Sequence, residues 1–468
     1  MRRTWAAVGL AGLAATVACG GSSPGSSASH SAYGPQPVTS TVTSAGADVD
    51  QYHGDARHTG AYTGVTTPTS LAVGWNRDLD GSVYAQPLVV GGLAIVVTEN
   101  DTAYGIDAAT GATRWQTHVG TPQQASALPC GNIRPTVGIT GTPVYVASTG
   151  WVYFVAEEAG PKHELLAVDA KNGAVQLRQG VDLRVPGTSP DSMQERAALT
   201  ASDGRVYLTF GGRNGDCGTY RGQIIGVPVA GGTPVSYTVP TAREAGAWNP
   251  MGPAVDTAGD IYLSVGNGAA GEDPGHRNDP YDHSDAVLEL SPTLQLLGFF
   301  APSNWREQNA GDVDLGSTGP TLLSNGLVLA IGKSPSVYVM RQSALGGVGG
   351  QLTTTDICRG FGGTAQSGNS VYLPCTDGVR AVDVSESGAV TTRWHTSGGI
   401  NGSPVLGGGA VWALDQSSAT LHAVSTNTGK ELASVKLPAG VTRFATPALS
   451  GSTAYIGTEQ GITAVTIS

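Results

Sequence analysis

Residues 271–286, GEDPGHRNDPYDHSDA, hold the densest group of potential ligands in the chain: Asp273, His276, Asn278, Asp279, Asp282, His283 and Asp285. Carboxylate oxygens at this density suit Ca²⁺, and carboxylate with imidazole suits Zn²⁺. The same pairing suits acid–base work in a hydrolase. The spacing matches neither an EF-hand nor a zinc motif, and the stretch is rich in Gly and Pro. A solvated loop is therefore the competing reading.

A second set is spread along the chain. Tyr84, Gln86, Thr142, Glu195, Arg196, Trp248, Asn249, Ser317, Asn401, Ser403, Arg443 and Phe444 each lie just before or at the start of a short apolar segment. Arg196 and Arg443 can pair with an anion, and Trp248 can stack on a planar group. The alternative is that the arginines pair with neighbouring acids such as Glu195. Lys333, in GKSPS, either joins this set or is solvated. No G-x-S-x-G, H-E-x-x-H or phosphate-cradling glycine loop is present.

The elements that would position these residues are repeats. Hairpins of one type begin at Ala85 (AQPLVVGGLAIVV), Gly141, Ala197, Gly252, Gly319, Gly362, Gly402 and Ala445. The spacing falls in the range of propeller blades. Each turn is rich in Gly, Asn or Asp, as tight reversals require. Between hairpins lie segments such as YGIDAATGATRWQT (104–117) and LAVDAKNGAVQLRQ (166–179), read as a third strand, a turn and a fourth. This pattern predicts an all-β fold, an eight-bladed β-propeller with strands A to D in each blade. The last unit ends without a D strand, whereas LAVGWNRDL (71–79) is a D strand without a blade, its Trp75 paralleling Trp115 and Trp394. That segment is expected to complete blade eight and close the ring.

In this scheme the A–B and C–D turns share one face and are short. The B–C and D–A connections share the other and carry the long insertions. Function is expected on the decorated face, since binding residues concentrate on loops held by a rigid scaffold. Cys130, Cys217, Cys358 and Cys375 all fall there. Pairing Cys130–Cys217 and Cys358–Cys375 avoids crossing the ring, as a disulfide spans only about 6 Å between Cα atoms. Free thiols are the alternative.

Composition narrows the function. Of 468 residues only 13% are charged, the net charge is -11, and no Lys/Arg cluster occurs. A nucleic-acid partner is excluded, because phosphate binding needs a basic footprint. Residues 1–18 read as a signal peptide, with a basic start and an apolar core too short to span a membrane. Cys19, in TVACGGSS, is the expected lipidation site, although Thr16 departs from the usual residue there and leaves plain secretion open. Residues 19–48 read as a Gly/Ser-rich tether and 49–468 as the propeller domain. The expected location is the outer face of the cytoplasmic membrane or the cell envelope, with the lipid anchor as the membrane contact.

The strand–Asp–turn–Gly–strand repeat, with YHGDARHTG (52–60) before the first blade, resembles the pyrroloquinoline quinone (PQQ)-like repeat propellers. These have the quinoprotein alcohol dehydrogenase-like fold, here of bacterial exported lipoprotein type. In the dehydrogenases, the resemblance implies a quinone held between a tryptophan and a disulfide of adjacent cysteines. A Ca²⁺ ligated by Glu and Asn and a catalytic Asp would lie beside it. This chain departs from that pattern. It has no adjacent cysteines and no C-x-x-C-H haem motif, and only Trp115 and Trp394 stand at the docking position. The expectation is a monomeric, non-catalytic binding or scaffold module for a small ligand, glycan or envelope protein, with no cofactor assigned. A divergent oxidoreductase using PQQ and Ca²⁺ is the alternative, and a hydrolase using residues 271–286 is a third. Lipoprotein platforms for outer-membrane assembly use similar repeats.

Overall fold

Strands buried on both faces need apolar residues at every position, and those exposed on one face need alternation. Blade one shows both. Its A (Leu88–Val90), B (Leu93–Thr98) and C (Thr102–Asp107) strands are almost wholly buried, whereas D (Thr113–His118) is polar except for buried Trp115. The computed structural model describes residues 46–183 and 185–468. Eight sheets of four or five strands, antiparallel except for one short parallel pairing at Phe300–Ala301 with Gly347–Val348, form the eight-bladed propeller, with strands A to C of each blade following in chain order. Residues 1–18, Cys19 and most of the tether lie outside the described residues. The tether's last three belong with the propeller: Ala47 accepts a hydrogen bond from Ser450 Oγ (2.8 Å), and Asp48 accepts one from the Gly91 amide (3.1 Å). Among the described residues, no helix is long and apolar enough to cross a membrane.

The ring closes as expected. Leu71–Asp78 pairs antiparallel with Gly461–Ile467 as the D strand of blade eight, Leu71 opposite Ile467 and Asp78 opposite Gly461. The first and last strands therefore share one sheet, leaving no open edge between the chain ends.

Tryptophans on D strands tie blades together. Trp75 Nε1 donates to the Ala108 carbonyl (3.1 Å), Trp115 to Ala170 (3.0 Å) and Trp394 to Thr426 (2.9 Å). Each acceptor lies in the C–D turn of the next blade. The turn glycine is required there: Gly111 has φ +71°, and a Cβ on it would sit 2.7 Å from the Trp75 ring. Gly173 and Gly429 stand likewise against Trp115 and Trp394. The Asp–turn–Gly repeat is thus the receptor for an indole.

Residues 49–62 do more than lead into blade one. They cross the channel and bond to every blade: Val49 with Val89, Asp50 with Tyr145, His58 with Thr200, and Ala56 with Val255. Arg57 reaches Leu322, Thr59 Gln366, Gly60 Leu406, and His53 Thr446. This plug fills the channel on the side of the short turns. Tyr52 stacks on His53 (4.0 Å between centroids, 12° between planes). Burial pulls His53 and His58 down to about 3, so both are neutral.

Candidate functional site

At the decorated end of the channel lies a cavity of about 280 Å³. Its lining comes from B–C and D–A connections, as the face assignment expects. Trp248 lies 6.5 Å from Phe361 and 6.4 Å from Phe444 between ring centroids. Cations lie over these rings: Arg196 5.3 Å and Lys333 5.8 Å from Trp248, and Arg443 4.4 Å from Phe361. A smaller chamber below is walled by Tyr52, Tyr84, Ile133, Thr142, Pro250 and the same arginines.

The two arginines differ from the others at the mouth. Arg213 is clamped by Glu157 (2.6 and 3.1 Å) and by the Asp191 carbonyl. Arg196 makes one hydrogen bond, from Nη2 to the Gly212 carbonyl (2.7 Å), and its buried Nε has no partner. Arg443 is held by aromatic faces alone. Neither has an ion-pair partner among the described residues. Glu195 does not pair with Arg196. Its carboxylate is buried without a hydrogen-bond partner, and burial raises its pKa well above the usual range. Burial lowers the pKa of Arg196 from the ordinary arginine value, a desolvation that a bound anion would offset.

The opposite wall is acidic. Asp314 is buried, with Oδ2 2.6 Å from Lys333 Nζ and Oδ1 lacking any hydrogen bond. Burial pushes its pKa up to about 6 against the pull of Lys333. Asp312 contacts Lys333 and accepts from Asn267 Nδ2 (2.9 Å), and Asp216 accepts from Tyr220 (2.6 Å). Behind Arg213, Glu157 Oε2 lies 3.4 Å from His163 Nε2, and His163 Nδ1 lies 2.8 Å from Asp182. Burial alone would lower His163, but its hydrogen bond to Asp182 and the nearby carboxylate of Glu157 outweigh that and raise it to about 9.

The expected residues divide. Tyr84, Thr142, Arg196, Trp248, Arg443 and Phe444 converge on the cavities. Gln86 lies in the hub instead, accepting from the His53 amide (3.1 Å), and Asn249 is buried outside the lining. Ser317 and Ser403 bond across neighbouring blades, to the Gly360 carbonyl and from the Gly363 amide. Asn401 reaches only the Thr376 carbonyl (3.5 Å). Lys333 is at the mouth, ion-paired rather than solvated. Phe361, Arg213, Asp216, Asn267 and Asp314 were not expected. Arg213, Asn267 and Lys333 share a signal, because each follows the end of a B strand. An antiparallel A–B pair sets the end of B beside the start of A, so each blade offers two positions to the mouth.

In the loop 271–286 the side chains named as candidate metal ligands are engaged by other protein groups. Asp273 pairs with Arg243 (2.7 Å) and His276 with Asp279 (2.7 Å). Asp282 accepts from Ser284 (2.6 Å), His283 bonds Tyr237 (3.2 Å), and Asp285 accepts from the Leu315 amide (2.5 Å). These contacts do not converge: His276 and Asp279 pair with each other at the surface, whereas Asp285 is buried and turned inward. Among the described residues, no three His, Cys, Asp or Glu gather as a metal ion would need. The cysteines do pair as expected, Cys130 with Cys217 (Cα–Cα 6.1 Å) and Cys358 with Cys375 (5.7 Å).

A family model described as outer membrane protein assembly factor BamB matches residues 66–215. Among solved structures, a quinohemoprotein alcohol dehydrogenase from Pseudomonas putida HK5 is 13% identical, with a TM-score of 0.68 over 90% of this chain and 80% of that one. A europium-containing methanol dehydrogenase is 14% identical, with a TM-score of 0.68 over 89% and 90%. BamB from Moraxella catarrhalis is 15% identical, with a TM-score of 0.53 over 84% and 97%. No curated protein matches. The chain is an eight-bladed β-propeller with the fold of quinoprotein alcohol dehydrogenases, the PQQ-like family model matching residues 66–215, and at these identities the likeness speaks for fold alone.

Proposed function

We propose that this chain is an extracytoplasmic binding propeller whose mouth takes a small planar organic anion. The supporting observation is the pair of guanidiniums, Arg196 and Arg443, that lack carboxylate partners in a chain of net charge -11 and face one cavity beside Trp248. Two disulfides suit an oxidising compartment. Lipidation at Cys19 would hold the domain at the membrane surface, and the module would act as a monomer.

PQQ, a planar ring bearing carboxylates, is the natural first probe. Trp248 suits its ring, and Arg196 and Arg443 suit its carboxylates. The accompanying divalent cation does not fit: Lys333 already holds Asp312 and Asp314, the carboxylates that such an ion would need. The test is a titration of purified protein with PQQ, with simpler aromatic carboxylates and with neutral oligosaccharides, read by tryptophan quenching. Binding of the anions that weakens in Arg196→Ala is expected. Binding only of neutral glycans would overturn the reading.

One observation favours a second reading, a quinoprotein oxidoreductase. Asp314 Oδ1 is buried without a partner, and Gly266 abuts both this carboxylate and the Trp248 indole nitrogen. When bound, the quinone would supply the electron-accepting chemistry. Asp314 would then hold a substrate proton. Reconstitution with PQQ and Ca²⁺ followed by a dye-linked oxidation screen separates this reading from the first, which expects no turnover.

A further inference from the structure

The two disulfides are placed differently. Cys358 is 6% exposed and Cys375 0%, and they lie 17 residues apart within one blade's connections. Cys130 and Cys217 are both partly exposed, and they lie 87 residues apart on connections of different blades. These connections are walls of the mouth. Asn132, two positions after Cys130, lines both chambers, and Ile133 lines the deeper one. Arg213, Asn214, Gly215 and Asp216 run up to Cys217 and line the upper cavity. Gly215 packs directly on Cys130, 3.7 Å from a Cβ built on the glycine.

Each connection is pinned on its far side. The first is closed below the tip by a short pairing of Gln123–Gln124 with Thr136–Val137. The second is held at its stem by the Arg213–Glu157 ion pair and at its end by the Tyr220–Asp216 hydrogen bond. Between those pins, the Cys130–Cys217 bond is the covalent link holding the two tips together. Breaking it would loosen Asn132, Ile133, Asn214 and Gly215 while the blades stay closed.

We propose that Cys130–Cys217 is a reversible thiol-exchange site that gates the mouth, an inference that rests on the mouth-binding reading for its effect on ligand. The co-reactant is an external dithiol. One of its thiolates attacks a sulfur of the bond, breaking it and forming a mixed disulfide. Its second thiol displaces the protein sulfur. The protein keeps two thiols, each having gained a proton, and the reagent leaves as its own disulfide, two electrons having passed to the protein. Cys358–Cys375 is shielded from this attack by burial.

The test uses the whole domain and three readouts. Graded dithiol treatment followed by alkylation and mass mapping should label Cys130 and Cys217 while Cys358 and Cys375 stay linked. Hydrogen exchange should then rise in peptides covering 128–136 and 213–219 and stay constant in the blades. PQQ titration should show affinity reduced about ten-fold, from the lost preorganisation of the wall, and restored on reoxidation. Simultaneous reduction of both bonds, or unchanged exchange in those peptides, overturns the gate whether or not any ligand binds. Equal affinity of the oxidised and reduced forms also overturns it. Failure of the oxidised protein to bind PQQ or any other anion of the panel overturns the mouth-binding reading and the ligand gate with it, while a pure loop-ordering role is still judged by exchange. Cys130→Ser with Cys217→Ser should mimic the reduced form. If that variant does not fold, the alkylated wild type serves.

Discussion

Two regions of the decorated face carry polar chemistry, the blade-four loop and the mouth, and they are built in opposite ways. In the loop, residues close in sequence are spent on contacts that do not converge, as His276 with Asp279 and Asp273 with Arg243. In the mouth, residues from Asn132 to Phe444 come from several blades and converge, and several keep unsatisfied polar atoms. A ligand site is marked by convergence with capacity left over, not by density in the sequence. Buried polar groups normally find partners, so those that do not ask for one.

The sharpest way to break this comparison is to mutate both regions and measure the same binding. Arg196→Ala with Arg443→Ala should lower affinity for PQQ by about 3 kcal/mol or more, since each contact is charge-assisted and partly desolvated. His276→Ala with Asp279→Asn in the loop should change it by less than about 0.5 kcal/mol, an exposed pair being weak. Titration calorimetry on the two variants decides. Loss of binding in the loop variant and not in the arginine variant would reverse the assignment.

Tryptophans extend the contrast from binding to stability. Trp115 docks on the next blade's turn, whereas Trp248 faces the cavity. Trp115→Ala should cost about 3–5 kcal/mol of stability, the range for a truncated core aromatic, and leave affinity near wild type. Trp248→Ala should leave the melting temperature nearly unchanged and weaken binding. Denaturant melts beside titrations test both. Equal destabilisation by the two changes would mean that Trp248 is structural.

The plugged end gives an intermediate effect, on stability alone. His53 and His58 are neutral in the fold, burial having pulled both to about 3. The unfolded chain protonates near 6.5, so it binds more protons than the fold below that pH. The contribution is fully present above about 6.5 and is lost as pH falls towards 3, at up to about 1.4 kcal/mol per pH unit for each histidine. Glu99 and Asp101 have the opposite sign: burial raises each to about 8, so their contribution is lost as pH rises from the ordinary carboxylate range to 8. Stability should peak in mildly acidic solution. His58→Gln should flatten the acid limb without moving PQQ affinity. Melts from pH 4 to 8 measure this, and an unaltered acid limb would contradict it.

The fold was legible because its signals repeat. Eight hairpins, a D strand around Trp75 without a blade and a last blade without a D strand leave one way to close the ring. The cysteine pairing followed from the face assignment. The mouth was half legible. Lead-ins to A strands exposed Arg196, Trp248 and Arg443, but the positions after B strands, Arg213, Asn267 and Lys333, went uncounted, although antiparallel pairing puts them alongside. Phe361 was hidden between Cys358 and a pair of glycines. The plug was read only as a lead-in, because nothing local in YHGDARHTG says that its backbone meets eight blades. Gln86 and Asn249 show the limit of the rule: a lead-in residue turned inward serves the hub.

The smallest effect separates the two walls of the mouth itself. Asp314 faces the arginines across the cavity, and burial sets its pKa near 6, above the ordinary carboxylate value, despite Lys333. A bound anion adds negative charge nearby and would raise that pKa further, so the complex binds more protons than the free protein around neutrality. By linkage, affinity for an anion must rise as pH falls from about 7 to 5. The gain stays below ten-fold per unit, because only one group is involved and Lys333 screens it. Asp314→Asn should bind the anion more tightly at pH 7.5 and lose the dependence, whereas Asp279→Asn in the blade-four loop should keep it. Titrating PQQ against wild type and both variants at pH 5, 6, 7 and 8 gives the slopes. A wild-type affinity that does not change between pH 5 and 8 would place the ligand's charge away from Asp314, on the arginine side alone.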